Sequence, residues 1–143
     1  MKTLRQLLAS KNQSLAAVAP RDTVLHTLQV MADHDVGAVL VLEGERLVGI
    51  FSERDYARKI ILHGKASKDT LVSEIMSDKV LYVTLDRTVD ECMAIMSEKH
   101  FRHLPVLNDE QQVVGIVSIG DLVKETICEQ EFIIRQLEHY IAG

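Results

Sequence analysis

The chain has 143 residues, 47% of them apolar and 26% charged, with a formal net charge of −5. That apolar share builds a real core and excludes wholesale disorder, while the acidic balance (pI about 5.6) lacks the basic footprint of a nucleic-acid binder and disfavours an anionic membrane surface. Aromatic residues reach only 4%, with no Trp, so the core must be aliphatic.

Residues 1–14 read as an N-terminal segment whose apolar run is too short for a signal peptide. No run approaches the length of a membrane span, and the expectation is a soluble, cytoplasmic protein. A first unit spans 15–63. It opens with an extended stretch at Val18, then a helix with Val24, Leu28 and Met31 at helical spacing. Two aliphatic strands follow, Gly37–Leu42 and Leu47–Phe51, joined by the polar Glu43-Gly44-Glu45-Arg46 as a hairpin, and a second helix starts at Ser52. The connector, 64–81, is polar at Lys65–Thr70 and helical near Val72–Met76. A second unit, 82–127, opens at Tyr82-Val83. Its first helix carries Val89, Met93 and Met96 behind a capping box of Thr88 and Glu91. Strands His103–Leu107 and Val113–Val117 flank the loop at 108–112, and a helix begins at Ser118. That helix continues into an extension, 128–143. Ile127, Ile133, Ile134, Leu137 and Ile141 leave it a surplus apolar face, for which a second subunit is a reasonable partner.

The two units are copies. Val18 aligns with Val83, Thr23 with Thr88, Val24 with Val89 and Met31 with Met96. After one extra loop residue near Gln112, Gly49 aligns with Gly115, Ser52 with Ser118 and Asp55 with Asp121. Chance similarity of aliphatic residues would not keep Thr, Gly, Ser and Asp in step, so the pattern is a duplication. Strands such as Gly37–Leu42 do not alternate and need cover on both faces. A unit of about 50 residues buries only a modest share of its surface alone. The expected fold is therefore mixed α/β (α+β): two β-α-β-β-α units packed face to face about a pseudo-twofold axis.

No Walker loop, GxGxxG, HExxH or GxSxG is present, and nothing groups a nucleophile with a base, so no enzyme is expected. The six histidines are scattered; His100 and His103 straddle a helix end and a strand start, and no metal is expected. Cys92 and Cys128 have no CxxC or zinc-like spacing and read as reduced thiols. The best chemical signal is the duplicated strand-to-helix junction, Gly49-Ile50-Phe51-Ser52-Glu53-Arg54-Asp55 and Gly115-Ile116-Val117-Ser118-Ile119-Gly120-Asp121. A serine hydroxyl at a helix start can bond a phosphate or ribose oxygen. An aspartate one turn on can accept from vicinal sugar hydroxyls. The same Ser-x-x-Asp is also a plain helix cap, and the two roles are compatible.

The doubled Gly-hydrophobic-x-Ser-x-x-Asp junction resembles that of tandem CBS domains, the cystathionine-β-synthase-type regulatory module. Thr23-Val24 to Met31, Thr88-Val89 to Met96, Arg102-His103-Leu104-Pro105-Val106 and Val72-Ser73-Glu74-Ile75-Met76 carry the same resemblance, which runs from Val18 to about Ile127. It implies a stand-alone, non-catalytic sensor that binds an adenine nucleotide between the repeats. AMP is the first candidate, with ATP, ADP, NAD or S-adenosylmethionine as others. Occupancy would be signalled through conformation or oligomer state, with a homodimer of pairs and an unidentified regulated protein as partners. By resemblance Asp55 and Asp121 take ribose hydroxyls, and Ser52 and Ser118 contact ribose or phosphate. Adenine lies between Ile50 and Val39 at one site and between Ile116 and Leu104 at the other, its polar edge read by backbone near Ala38 and His103. Thr84 and Pro105 complete the implied set. Arg102 and Arg54 are candidate phosphate ligands, and Arg58 and Lys59 could serve a longer polyphosphate. Arg102-His103 stands where the first unit has Gly37-Ala38, so the two sites should be unequal. Pro105, where the first unit has Leu40, suggests an edge or irregularity in its strand. The alternatives are a structural module with degenerate sites, an enzyme acting on a nucleotide, and a metal or redox sensor using the histidines and cysteines.

Overall fold

The computed structural model describes residues 2–10 and 15–142. In chain order the elements are α1 (Leu4–Ser10), β1 (Ala17–Val18), α2 (Val24–His34), β2 (Ala38–Glu43), β3 (Arg46–Ser52), α3 (Glu53–Asp55) running into a π-helical turn (Tyr56–Ile61), α4 (Val72–Ile75), β4 (Val83–Thr84), α5 (Val89–Lys99), β5 (His103–Leu107), β6 (Val113–Ser118) and α6 (Ile119–Ala142). The β-α-β-β-α order appears twice, as expected.

Each repeat has its own three-stranded sheet, β1-β2-β3 and β4-β5-β6. The middle strand runs parallel to the first and antiparallel to the third. Both middle strands are buried over four consecutive residues, Ala38–Val41 and Leu104–Leu107, because sheet neighbours and helices cover both faces. The duplication reaches fine detail. Thr23 and Thr88 cap α2 and α5 through their side chains, and Asp35 and His100 close the same helices in the left-handed conformation, at φ 52° and 60°. The register shifts at Val41/Leu42 in one hairpin and at Val106/Leu107 in the other. That shared irregularity is not caused by Pro105, since Leu40 holds its place in the first repeat. Of the two alternatives drawn from the proline, the irregularity is present in β5 but the edge is not, since β5 is the centre of its sheet.

The repeats exchange their preceding segments. α1, at the start of the chain, packs into the second repeat: Leu4 and Leu7 share a core with Val83, Val89, Cys92, Met96, Leu104, Val106, Val117 and Leu122. α4, in the connector, packs into the first: Val72 and Ile75 join Val18, Val24, Met31, Val39, Val41, Phe51 and Ile60. Equivalent backbone bonds hold both. Leu4 N donates to Arg87 O and Val72 N to Asp22 O; Arg5 N donates to Leu85 O and Ser73 N to Pro20 O; Val89 N donates to Lys2 O and Val24 N to Thr70 O. This reciprocal exchange is a pseudo-twofold pairing. It gives each repeat buried apolar surface that a 50-residue unit lacks on its own.

The copies diverge after the third strand. In the first repeat the helix that starts after Ser52 is short, the three-residue α3 running into the π-helical turn. The second has the 24-residue α6, of which only Leu122 is buried.

Candidate functional site

Both strand-to-helix junctions form the cap that Ser-x-x-Asp encodes. In the first repeat Ser52 N donates to Asp55 Oδ2 (3.0 Å), and Asp55 N donates back to Ser52 Oγ (3.3 Å). In the second, Ser118 N donates to Asp121 Oδ2 (2.9 Å), and Asp121 N to Ser118 Oγ (3.1 Å). Each reciprocal pair satisfies two backbone N–H groups that a helix start otherwise leaves unpaired. The next N–H turns back to the opening of the middle strand: Glu53 N donates to Gly37 O, and Ile119 N to Arg102 O. These bonds fix where the chain enters and leaves each sheet.

The first junction opens onto a cleft of about 330 Å³ that neither repeat makes alone. The first repeat supplies Gly37, Ile50, Ser52, Glu53, Arg54 and Asp55; the second supplies His100, Phe101, Arg102, His103 and Pro105; the connector supplies Ser77, Lys79, Val80 and Leu81. The two repeats meet at its base, where the His103 ring lies within 4 Å of the space a side chain at Gly37 would fill. A Cβ at Gly49 would overlap the Met76 side chain and stand 3.1 Å from Ser77 O, so this glycine lets the connector lie against β3. Ile50 and Ser77 pair there through both backbone bonds.

Asp55 is half-buried, and its two oxygens have different duties. Oδ2 is committed to the cap and also accepts from Ser52 Oγ (3.1 Å). Oδ1 faces Ser77 Oγ at 3.4 Å and Lys59 Nζ at 3.6 Å. These are long contacts that a ligand hydroxyl could replace, whereas the cap bonds hold the backbone. Lys59 also donates to Ile75 O (2.9 Å), at the end of α4. It is therefore a tie between the site and the connector and does not line the cleft, which departs from the polyphosphate role considered for it.

Of the residues singled out in the sequence, the cleft gathers Ile50, Ser52, Arg54, Asp55, Arg102, His103 and Pro105. The others lie elsewhere. Val39 and Leu104 have no exposed surface and fill the separate cores of their repeats. Ala38 is buried in β2, paired with Ser52. Thr84 is exposed on β4, beside a shallow groove with Arg87 and Ile95. Ile116, Ser118 and Asp121 form the equivalent junction of the second repeat, half-buried. The connector's contribution, Ser77 to Leu81, and the pair His100-Phe101 carried no motif of their own. The left-handed φ of His100, the αL cap that places it, has no marker in a histidine.

Pro105 has a local consequence. In the first repeat Leu40 N donates to Ala16 O (3.1 Å). The second repeat has Pro105 at that position, and proline has no N–H. The carbonyl of Leu81, the counterpart of Ala16, goes without that donor, and both residues line the cleft. Among the described residues no three of His, Cys, Asp and Glu converge on a point that could hold a metal ion.

Residues 9–62 and 72–127 each match the CBS domain, and the chain belongs to that family, with two copies in tandem. It is similar to the mitochondrial CBS domain-containing protein CBSX3 of Arabidopsis thaliana, 40% identical over 127 residues, which cover 85% of this chain and 61% of that one. The chain thus spans about three fifths of that relative's length. It is also similar to a crystal structure of a CBS domain protein, NE2398, 48% identical with a TM-score of 0.83, over 88% of this chain and 98% of that one. A more distant pair shares the fold at 22% identity and a TM-score of 0.75, over 84% of this chain and 89% of that one: PAE2072 from Pyrobaculum aerophilum, solved in complex with AMP.

Proposed function

We propose that this CBS pair is a non-catalytic regulatory module that binds an adenosine-containing ligand in the cleft between its repeats. The observation that carries the reading is the convergence at one cleft of Ser52 and Asp55 from one repeat with Arg102, His103 and Pro105 from the other. In this reading Asp55 Oδ1 exchanges Ser77 and Lys59 for ribose hydroxyls, while Oδ2 keeps the cap. The base lies against Ile50 and Pro105, where an aliphatic wall desolvates a purine without an aromatic partner. The Leu81 carbonyl is an acceptor for an exocyclic amine, which adenine has at that edge and guanine replaces with a carbonyl. The AMP complex of the distant pair supports the ligand class.

Ser118, Asp121 and Ile116 would serve a second, unequal site in the same way. The stretch between α1 and β1 that corresponds to Ser77–Leu81 includes 12–14, outside the described residues. The signal would pass to a regulated protein, in the cytoplasm, through conformation or assembly. α6 favours a homodimer: Ile127, Ile133, Ile134 and Leu137 are each about half exposed along it. Calorimetry with AMP, ADP, ATP, NAD and S-adenosylmethionine tests the reading. Wild type binds at least one of them, and Asp55→Ala weakens that binding while the protein stays folded. Full affinity in the variant would remove the ribose assignment, and no binding by any of the five would remove the proposed function.

A further inference from the structure

α6 turns one side to its own repeat and a different side to solvent. Leu122 is buried, and Glu125, Thr126 and Glu129 are partly buried on the same side. Thr126 Oγ1 reaches Met93 Sδ of α5 at 3.3 Å, and Lys2 meets Glu125 at 3.0 Å, so this side holds the helix to the second repeat. About a quarter turn away, at roughly 3.6 residues per turn, Val123, Ile127, Ile134, Leu137 and Ile141 form a second stripe. Their steps alternate between four and three residues, the spacing of a helix-pairing seam, with Gln130 as its one polar member. Every apolar member is exposed. The stripe begins at Val123, where α6 still packs on its own repeat, and runs on to the end of the helix. It is a separate face, and not a prolongation of the contact with α5.

We propose, deepening the homodimer reading above, that this stripe is the dimer interface and that two copies of α6 pair across it antiparallel. In a register centred on position 132, Val123 lies opposite the partner's Ile141, Ile127 opposite the partner's Leu137, and Gln130 opposite the partner's Ile134. The twofold axis makes each contact occur twice. Charge favours this direction. Beside the seam Lys124 comes next to the partner's Glu138, twice, against one meeting of Glu131 with the partner's Glu131 at the axis. A parallel pair sets Thr126 beside the partner's Glu131 and Ile133 beside the partner's Glu138, and joins no opposite charges. Coverage favours it too. Ile133 and Tyr140 are exposed on the side of α6 that faces the repeat, but beyond the repeat's reach. Antiparallel pairing sets both second repeats on one side of the helix pair, at opposite ends, so the partner's repeat covers these two residues. Parallel pairing sets the repeats on opposite sides and leaves both residues in water. A stable dimer buries about 800 Å² on each partner, and contact between helix and repeat adds to the seam toward that area. Phe132, on the back of the helix, stays outside the interface.

The test begins with light scattering on the full chain at micromolar concentration, where wild type is expected to be a dimer. Ile134→Glu/Leu137→Glu should be monomeric there, with its dimer dissociation constant raised at least about a hundredfold, because two carboxylates would enter an apolar seam. Its circular dichroism should match that of wild type, since both residues are exposed in the single chain. Phe132→Glu, an equally drastic change on the opposite side of α6, should remain a dimer. Direction is read from a spin label on Cys128→Ser/Ala142→Cys, in which Cys92 is buried and does not take the label. Antiparallel helices hold the two labels about 30 Å apart, the rise of roughly twenty residues, whereas parallel helices bring them within about 20 Å. A monomeric wild type overturns both the seam and the homodimer. A dimer that survives Ile134→Glu/Leu137→Glu, or that Phe132→Glu dissolves, keeps the homodimer and overturns the seam. A label distance under about 20 Å overturns the antiparallel order.

Discussion

Replacing Leu4 by Ala tests the exchange of segments on which the pair depends. In a detached N-terminal tail Leu4 would be exposed and its loss silent. Here it has no exposed surface and packs with Val83, Val89 and Leu104 of the second repeat. A fully buried Leu→Ala change costs about 2–5 kcal/mol, the transfer term plus the cavity left behind. For a chain of this length each kcal/mol shifts the melting temperature by about 3 °C, so a fall of roughly 6–15 °C is expected. Arg5→Ala is the control. Its guanidinium meets Asp86 at 3.2 Å with both side chains well exposed, and such a pair contributes at most about 1 kcal/mol. Differential scanning calorimetry gives the sizes, and amide exchange gives the place: β5 and β6 should lose protection before β2 and β3. A Leu4→Ala protein melting within about 2 °C of wild type, or one that loosens the first repeat first, would refute the assignment of α1 to the second repeat.

Gly49→Ala should cost about 1–3 kcal/mol, because the new Cβ displaces Met76 and crowds the Ser77 carbonyl, which cannot yield without loosening its bond to Ile50. Gly115→Ala should cost less, since the new methyl meets only the flexible end of Leu8, and the opposite order in urea melts would contradict this packing. Burial pushes the Cys92 thiol up to about 11, with the neighbouring Glu91 adding to the shift. A thiol reagent at pH 8 should therefore modify only the exposed Cys128 in the native protein, and a second rapid equivalent before unfolding would argue against it. The Arg87 side chain, then the Thr88 backbone N–H and hydroxyl, hold the Glu91 carboxyl below its ordinary value near 4.5. A carboxyl with a lowered folded pKa stabilises the protein fully above its unfolded value, and the effect disappears as pH falls through the folded value. The melting-temperature gap between wild type and Glu91→Gln should accordingly close on acidification from pH 7 to pH 3; a gap that stays constant would mean that the charge plays no part.

Much of the fold was legible because its signals are local. Thr88 with Glu91 marks a helix start whatever surrounds it, and the structure forms that capping box. The continuous aliphatic run through β2 states that both faces are covered, and they are. The Ser-x-x-Asp junctions have their whole meaning within four residues, so both caps form as read. The site was legible only in half. Motif residues on one junction were apparent, but Val39 and Leu104, paired with Ile50 and Ile116 by strand position, turn into separate cores. Ser77 and Lys79 bear no signature, because their role depends on a connector folding back against Gly49. Pro105 illustrates the limit. The sequence marks the missing N–H, but only the neighbouring strand shows which carbonyl goes without it.

By itself, then, the sequence determined the duplication, the β-α-β-β-α order, the caps and the aliphatic character of the core. These follow from periodicity and from interactions a few residues in range. Tertiary structure decided which segment completes which repeat: α1 crosses to the second and α4 to the first, because buried faces choose partners by shape and position in space. It also decided that one cleft is built from both repeats and the connector. Apolar burial has no direction in sequence, so the reciprocal exchange, and the cleft shared by both repeats and the connector, could be seen only in the folded chain.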